Sequence, residues 1–136
     1  MATVRKEITT DASPEAVWDA IRDIGALHTR LVPGFVIDTR LEPGSRIVTF
    51  ANGVTVREHI ITLDEGARRL VWTAEGGRTS HYNSAVQVFA DDDATRIVWI
   101  SDFLPDEAAP AIGGAMEAGA QAMKKAMDKL AQESGQ

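Results

Sequence analysis

The tail of the chain constrains everything before it. From about Pro105 to Leu130 the sequence is rich in Ala, Gly and Met. Ile112, Met116, Gly119, Ala120, Met123, Met127 and Leu130 recur at i, i+3 and i+4, the spacing that holds side chains on one face of a helix. Short segments of strand character precede it, and the chain opens with one strand and a capped, Trp-bearing helix at Ser13–Arg22. A lone long helix cannot bury its own apolar stripe. A curved antiparallel sheet gripping that helix satisfies the order of elements, and such a geometry tends to leave a cavity between the two. Function is therefore sought in what lines that space.

The remaining elements follow from local chemistry. Val4, Lys6 and Ile8 alternate with Arg5, Glu7 and Thr9, as in an edge strand. Ser13 suits an N-cap and Pro14 the first helical position. Ala16, Val17, Ala20, Ile21 and Ile24 form an apolar stripe that Trp18 widens, and Gly25 is the expected stop. A second short helix is expected from Ala26 to Leu31, before Pro33-Gly34. Strands are expected at Phe35–Leu41, Arg46–Ala51, Val54–Leu63, Arg69–Ala74, Ser80–Ala90 and Thr95–Leu104. Turn signals separate them: Glu42-Pro43-Gly44, Asn52-Gly53, Asp64-Glu65-Gly66, Gly76-Gly77 and Asp91–Ala94. The whole chain, 1–136, reads as one domain.

Composition narrows the function classes. The chain has no cysteine, which removes disulfides, thiolate metal sites and a Cys nucleophile. A net charge of −6 argues against nucleic acid and anionic membranes as partners. No apolar run is long enough for membrane insertion, and Met1–Lys6 lacks a basic-then-apolar leader pattern. A cytoplasmic protein, monomer or homodimer, is expected, with no cofactor and no metal. His28, His59 and His81 have no local ligand spacing. No nucleophile elbow or phosphate loop is present.

The motifs in order resemble the START/Bet v 1-like (SRPBCC) superfamily, and within it the bacterial polyketide cyclase/dehydrase-like group. The matching segments are Asp11–Trp18, Asp23–Leu27, Pro33-Gly34, Gly53–Glu58, Leu63–Glu65, Arg69–Gly77, Thr95–Trp99 and the C-terminal helix. The resemblance covers nearly the whole chain. It implies an α+β helix-grip fold: a seven-stranded curved antiparallel sheet wrapped around the long C-terminal helix, with two short helices after the first strand. It says little about activity, because the fold hosts many functions. A second likeness is to the plant abscisic-acid receptors of the same superfamily. There Glu58 falls on a cavity carboxylate, and Tyr82 and Ser84 on ligand-contacting positions. The loop Ala51-Asn52-Gly53 is too short to be those receptors' gate, and their His-Arg-Leu latch is missing, so hormone binding is not implied.

Residues two apart on a strand share a face. Val54, Val56, Glu58, Ile60 and Thr62 share one face of their strand, Arg57, His59 and Ile61 the other, and periodicity alone does not choose between them. The resemblance puts Glu58 inside, where it is either a ligand contact or a general acid/base. The alternative is a surface carboxylate paired with an Arg; for a buried pair, Arg46 or Arg40 on the preceding strands is the candidate partner. Tyr82, the single tyrosine, shares its face with Ser84, and the two suit the orientation of a ligand carbonyl or hydroxyl. Trp72, Trp99 and Phe103 either fill the interior or line it, as do Met116, Ala120 and Met123 on the helix. The expected function is binding of a small hydrophobic or amphipathic molecule, lipid-, aromatic- or polyketide-like. Glu58, Tyr82 and Ser84 are the expected polar contacts, and Trp72, Trp99, Phe103, Met116, Ala120 and Met123 the apolar walls. A polyketide cyclase/dehydratase using Glu58 as acid/base, and a ligand-free protein-interaction module, are the competing classes.

Overall fold

A computed structural model describes residues 1–134; the last two positions of the expected 1–136 domain lie outside the described residues. Seven strands run β1 (Ala2–Thr10), β2 (Val36–Glu42), β3 (Ser45–Phe50), β4 (Thr55–Asp64), β5 (Arg69–Glu75), β6 (His81–Ala90) and β7 (Thr95–Leu104). They form one antiparallel sheet in the order β1-β7-β6-β5-β4-β3-β2. The helix α1 (Pro14–Arg22) follows β1, and the 26-residue α2 (Ala109–Ser134) closes the chain after a 3₁₀ turn at Asp106–Ala108. Bulges between Val36 and Asp38 in β2 and between Ile60 and Thr62 in β4 bend the sheet around α2. This is the helix-grip architecture expected from the order of elements.

The start of α1 follows its cap chemistry. Ser13 Oγ accepts the Ala16 N–H at 3.1 Å, Pro14 sits in the first turn, and Val17, Trp18, Ala20 and Ile21 face the core. Its far side is tied to the β4–β5 turn through Glu65, which accepts Trp18 Nε1–H at 2.6 Å and Arg22 Nη2–H at 2.7 Å. Those hydrogen bonds, Arg22's foremost, hold the Glu65 carboxyl below the usual carboxylate range. The stop differs from expectation. The helix ends at Arg22 with Asp23 as its C-cap. Gly25 instead makes room for a neighbour: a Cβ there would lie 2.9 Å from Leu41 Cδ1. The expected second helix is a 3₁₀ turn (Ile24–Ala26) running into a wide turn (Leu27–Leu31), where Val32 N–H reaches back five residues to the Leu27 carbonyl.

The Asn52-Gly53 hairpin also departs in one respect. Phe50 N–H bonds to the Val54 carbonyl at 2.8 Å, and Gly53 N–H to the Phe50 carbonyl at 2.9 Å, so the loop has three residues, Ala51 to Gly53. Gly53 takes φ +88, as a three-residue loop with a left-handed last residue requires. The register that results sets Arg46 opposite Glu58.

The core lies between the sheet and the helices. Met116, Gly119, Ala120, Met123 and Met127 form the buried stripe of α2, as their spacing predicts. At Gly119 the helix lies close against the sheet and the residue before β2. A Cβ there would lie 3.0 Å from Phe35 Cε2 and 3.0 Å from both Trp99 Cη2 and Trp99 Cζ3. Neither ring gives way easily, because Trp99 is hydrogen-bonded to Ser84 and Phe35 packs edge-on against Phe50 at 5.3 Å. Gly113 and Gly114 have nothing within 4 Å of the same position. Gly→Ala in a helix ordinarily gains about 0.5–1 kcal/mol. Gly113→Ala and Gly114→Ala are therefore expected to stabilise. Gly119→Ala is expected to lose net stability, because forcing a methyl into a packed core costs about 1–3 kcal/mol. Urea unfolding of the three variants checks this, and a stabilised Gly119→Ala contradicts the close approach.

Candidate functional site

Cross-strand register assembles the interior face. Arg46 on β3 stands opposite Glu58 on β4, and Glu58 opposite Ala74 on β5. Two residues along the same face, Ile60 stands opposite Trp72, Trp72 opposite Ser84, and Ser84 opposite Ser101. Tyr82 stands opposite Phe103, its ring roughly parallel to that neighbour's at 6.3 Å, and Val86 opposite Trp99. All nine residues expected at the site lie on the facing surfaces of sheet and α2. Eight are buried; Tyr82 is half-buried.

Glu58 points inward, and of the two candidate partners Arg46 is the one it meets. Arg46 Nε–H donates to Glu58 Oε1 at 2.8 Å, with the two side chains 3% and 8% exposed. Arg46 also donates from Nη1 to the Ile24 carbonyl at 3.3 Å, and its guanidinium lies 5.3 Å from the centre of the Trp72 ring. The pair is thus stapled to the turn after α1 and capped by an aromatic face.

A second polar group is a chain of hydroxyls. Trp99 Nε1–H donates to Ser84 Oγ at 2.8 Å, Ser84 and Ser101 hydroxyls are 2.8 Å apart, and Ser101 and Tyr82 hydroxyls 2.9 Å. Ser101 belongs to this network and was not singled out from the sequence. Trp72 contributes differently. Its indole Nε1–H is buried without a hydrogen-bond partner, as are His28 Nδ1 and Thr39 Oγ1. Nothing in the sequence marks an orphaned donor; only the packing reveals it.

The apolar members pack tightly. Phe103 is fully buried, and Met116 and Met123 are each 2% exposed. Two open clefts of about 400 and 350 Å³ lie elsewhere, one between the end of β1 and α2 near Lys124 and Asp128, the other on the outer sheet face around Arg69 and Arg96. His59, on the outer face, bonds Ser45 Oγ and Glu75, and His81 stands opposite Leu104, so the two histidines are not neighbours. Among the described residues no helix is long and apolar enough to cross a membrane.

Burial raises the Tyr82 phenol above its ordinary value of 10.0, the Ser101 hydrogen bond opposing and the Glu58 charge adding to the rise. A phenol protonated more tightly when folded supports stability that is complete below pH 10 and is lost as pH climbs through the folded value. Because Tyr82 is the single tyrosine, phenolate absorbance reports it alone. Native protein is expected to ionise above the denatured chain, and Tyr82→Phe to lose part of its alkaline destabilisation. A native titration at or below the denatured one contradicts the burial.

Comparison with known proteins agrees with this architecture. The family model described as polyketide cyclase/dehydrase and lipid transport matches residues 1–135. No curated protein sequence matches. Among solved structures, an uncharacterized protein from Bacillus thuringiensis is 20% identical, covers 93% of this chain and 98% of its own, and superposes with a TM-score of 0.82. A norcoclaurine synthase point mutant from Thalictrum flavum, bound to a transition-state analogue, is 21% identical over 99% of this chain and 96% of its own, with a TM-score of 0.74. A START superfamily protein from Mycobacterium smegmatis is 11% identical over 96% and 97%, with a TM-score of 0.71. At such identities the structures share the fold, while the family model spans the chain from end to end. The chain belongs to the polyketide cyclase/dehydrase and lipid-transport family, and its fold is that of START/Bet v 1-like proteins.

Proposed function

We propose that the protein binds a small apolar or amphipathic molecule between the sheet and α2. The carrying observation is the Trp72 indole N–H, buried at 6% residue exposure and without a partner on the interior face. Native interiors rarely leave a donor unpaired, since doing so costs about 1–3 kcal/mol. An orphaned donor within a core of Met and aromatic side chains suits a ligand that brings the missing acceptor. Entry requires the packed side chains to part. Met116, Met123 and Met127 are unbranched and repack at low cost, which makes α2 the adaptable wall. Native mass spectrometry of freshly purified protein is expected to show an adduct that disappears on denaturation. Bare protein that also fails to take up benzophenone or a fatty acid sinks the reading.

The ion pair bears on the competing enzyme reading. A general acid/base must exchange a proton with its substrate. Glu58 instead engages Arg46, itself anchored on Ile24 and Trp72. This supports a positioning part for Glu58 at the polar end of the binding space. Removing one member of a buried pair strands the other's charge, at about 3–5 kcal/mol. Glu58→Ala is therefore expected to lose about that much stability. The double variant Arg46→Met with Glu58→Leu is expected to recover most of it, because no charge is left stranded. Guanidinium unfolding measures both. Equal losses in the single and double variants contradict the pair's structural part.

A further inference from the structure

The two edges of the sheet are closed to different degrees. β1, at one end of the strand order, runs along α2, where Lys6 Nζ bonds Glu117 at 3.0 Å and Lys124 Nζ bonds the Thr9 carbonyl at 2.8 Å. Lysines placed in this way discourage further pairing. β2, at the other end, is bare on its open side. Among the described residues, positions 37–42 make no backbone hydrogen bond outside the β2–β3 ladder. Glu42 and Ser45 close the two-residue turn Pro43-Gly44, so hydrogen-bonded pairs with β3 recur at Glu42, Arg40 and Asp38. The N–H and C=O of Thr39 and Leu41 therefore point out to the open edge.

The side chains along this edge complement themselves. Ile37 and Leu41 are each 56% exposed. Asp38 and Arg40 are exposed, stand opposite Thr49 and Ile47, and have no ion-pair partner among the described residues. Glu42, by contrast, is engaged by Arg57 at 3.2 Å. An antiparallel two-fold pairing centred on Thr39 sets Asp38 of each copy against Arg40 of the other, and Ile37 against Leu41. Thr39 then meets its own counterpart through two N–H···O=C bonds. Other registers are poorer. Centring on Asp38 or on Arg40 sets a charge against its own copy. Centring on Leu41 sets Thr39 against Pro43, which has no N–H to give. The bulge at Ile37 keeps the regular ladder short, so the contact is small.

We propose that the open edge of β2 is the interface with a second copy of this chain, the two sheets joining in antiparallel register about Thr39. This goes beyond the ligand-binding reading and does not depend on it. The occupant is a second copy because the edge is its own complement in charge and in apolar contact. The outer Asp38–Arg40 contacts are exposed and select the register more than they add affinity. The backbone bonds and the Ile37–Leu41 contacts supply the attraction. A contact confined to positions 37–41 covers less area than a stable dimer needs, so association is weak and follows concentration.

Light scattering over a concentration series, with amide exchange followed by NMR, tests it. The mass in solution is expected to rise above that of one chain between about 10 µM and 1 mM, the range suited to a contact of this size. Over the same range the Thr39 and Leu41 amides are expected to slow, while those of Asp38 and Arg40, already bonded to β3, stay as they were. Asp38→Arg and Arg40→Asp each set like charges at both outer contacts. Each is expected to weaken association roughly tenfold without moving the melting temperature. An equimolar mixture of the two variants restores opposite charge at both contacts and is expected to associate as the unaltered protein does. Protein that stays monomeric throughout overturns the proposal. So does a dimer in which Thr39 and Leu41 exchange as fast as before, because its contact lies elsewhere. Slow exchange at those two amides at every dilution overturns it too, since the edge is then covered by something other than a second copy. Single variants that associate like the unaltered protein, or a mixture no better than either variant alone, overturn the pairing about Thr39.

Discussion

The contact between Gly119 and Trp99 joins the fold to its candidate site. The helix comes this close to the sheet because position 119 has no side chain, and the indole fills the space that results. Trp99 is in turn held by Ser84, and Ser84 by its place opposite Ser101. A helix seated anywhere else would leave that ring free to turn. The hydroxyl chain would then lose its indole donor. Packing at one glycine thus sets the hydrogen-bond geometry of a tyrosine on the neighbouring strand. This is the sense in which core and site are one surface in a sheet wrapped on a single helix.

The interior holds two polar groupings of opposite character. Arg46 and Glu58 satisfy one another, are further tied to Ile24 and Trp72, and so complete a corner of the core. A buried ion pair of this kind gives little net stability, since desolvation offsets most of the attraction. Its effect is on arrangement: it fixes β3 and β4 against the turn that follows α1. The Trp72 indole N–H on β5 is not satisfied in that way.

Much of this was legible in the sequence, and the gaps have physical causes. The 3.6-residue stripe of α2, the Ser13-Pro14 helix start and the turn signals sufficed for the elements and for the meander from β2 to β7, but the pairing of β1 with β7 joins the two ends of the strand series and has no local signal. The inward face of β4 was not readable from periodicity, because Glu58 and Ile60 alternate with Arg57, His59 and Ile61, and neither set is apolar throughout. The register was a subtler gap. A two-residue loop over Asn52-Gly53 pairs Arg46 with His59, whereas the observed three-residue loop pairs it with Glu58. One residue of slip exchanges which side chains meet across strands. Ser101 was within reach: counting back along both strands from the Asp91–Ala94 turn sets it opposite Ser84. The Trp72 orphan was not, since no local pattern says that a donor lacks a partner.

An orphaned donor also alters how affinity and stability relate. The cost of the unpaired Trp72 N–H, about 1–3 kcal/mol, is carried by the unliganded fold. A ligand that supplies an acceptor gains the new bond and removes that cost, so its measured affinity exceeds the worth of the bond alone. An apolar ligand of the same shape gains neither, and must displace well-packed Met and aromatic contacts to enter. On the proposed binding function, selectivity for an acceptor would therefore follow from leaving that donor unpaired in a closed core. A preformed apolar cavity of the same volume admits both ligands and distinguishes them less.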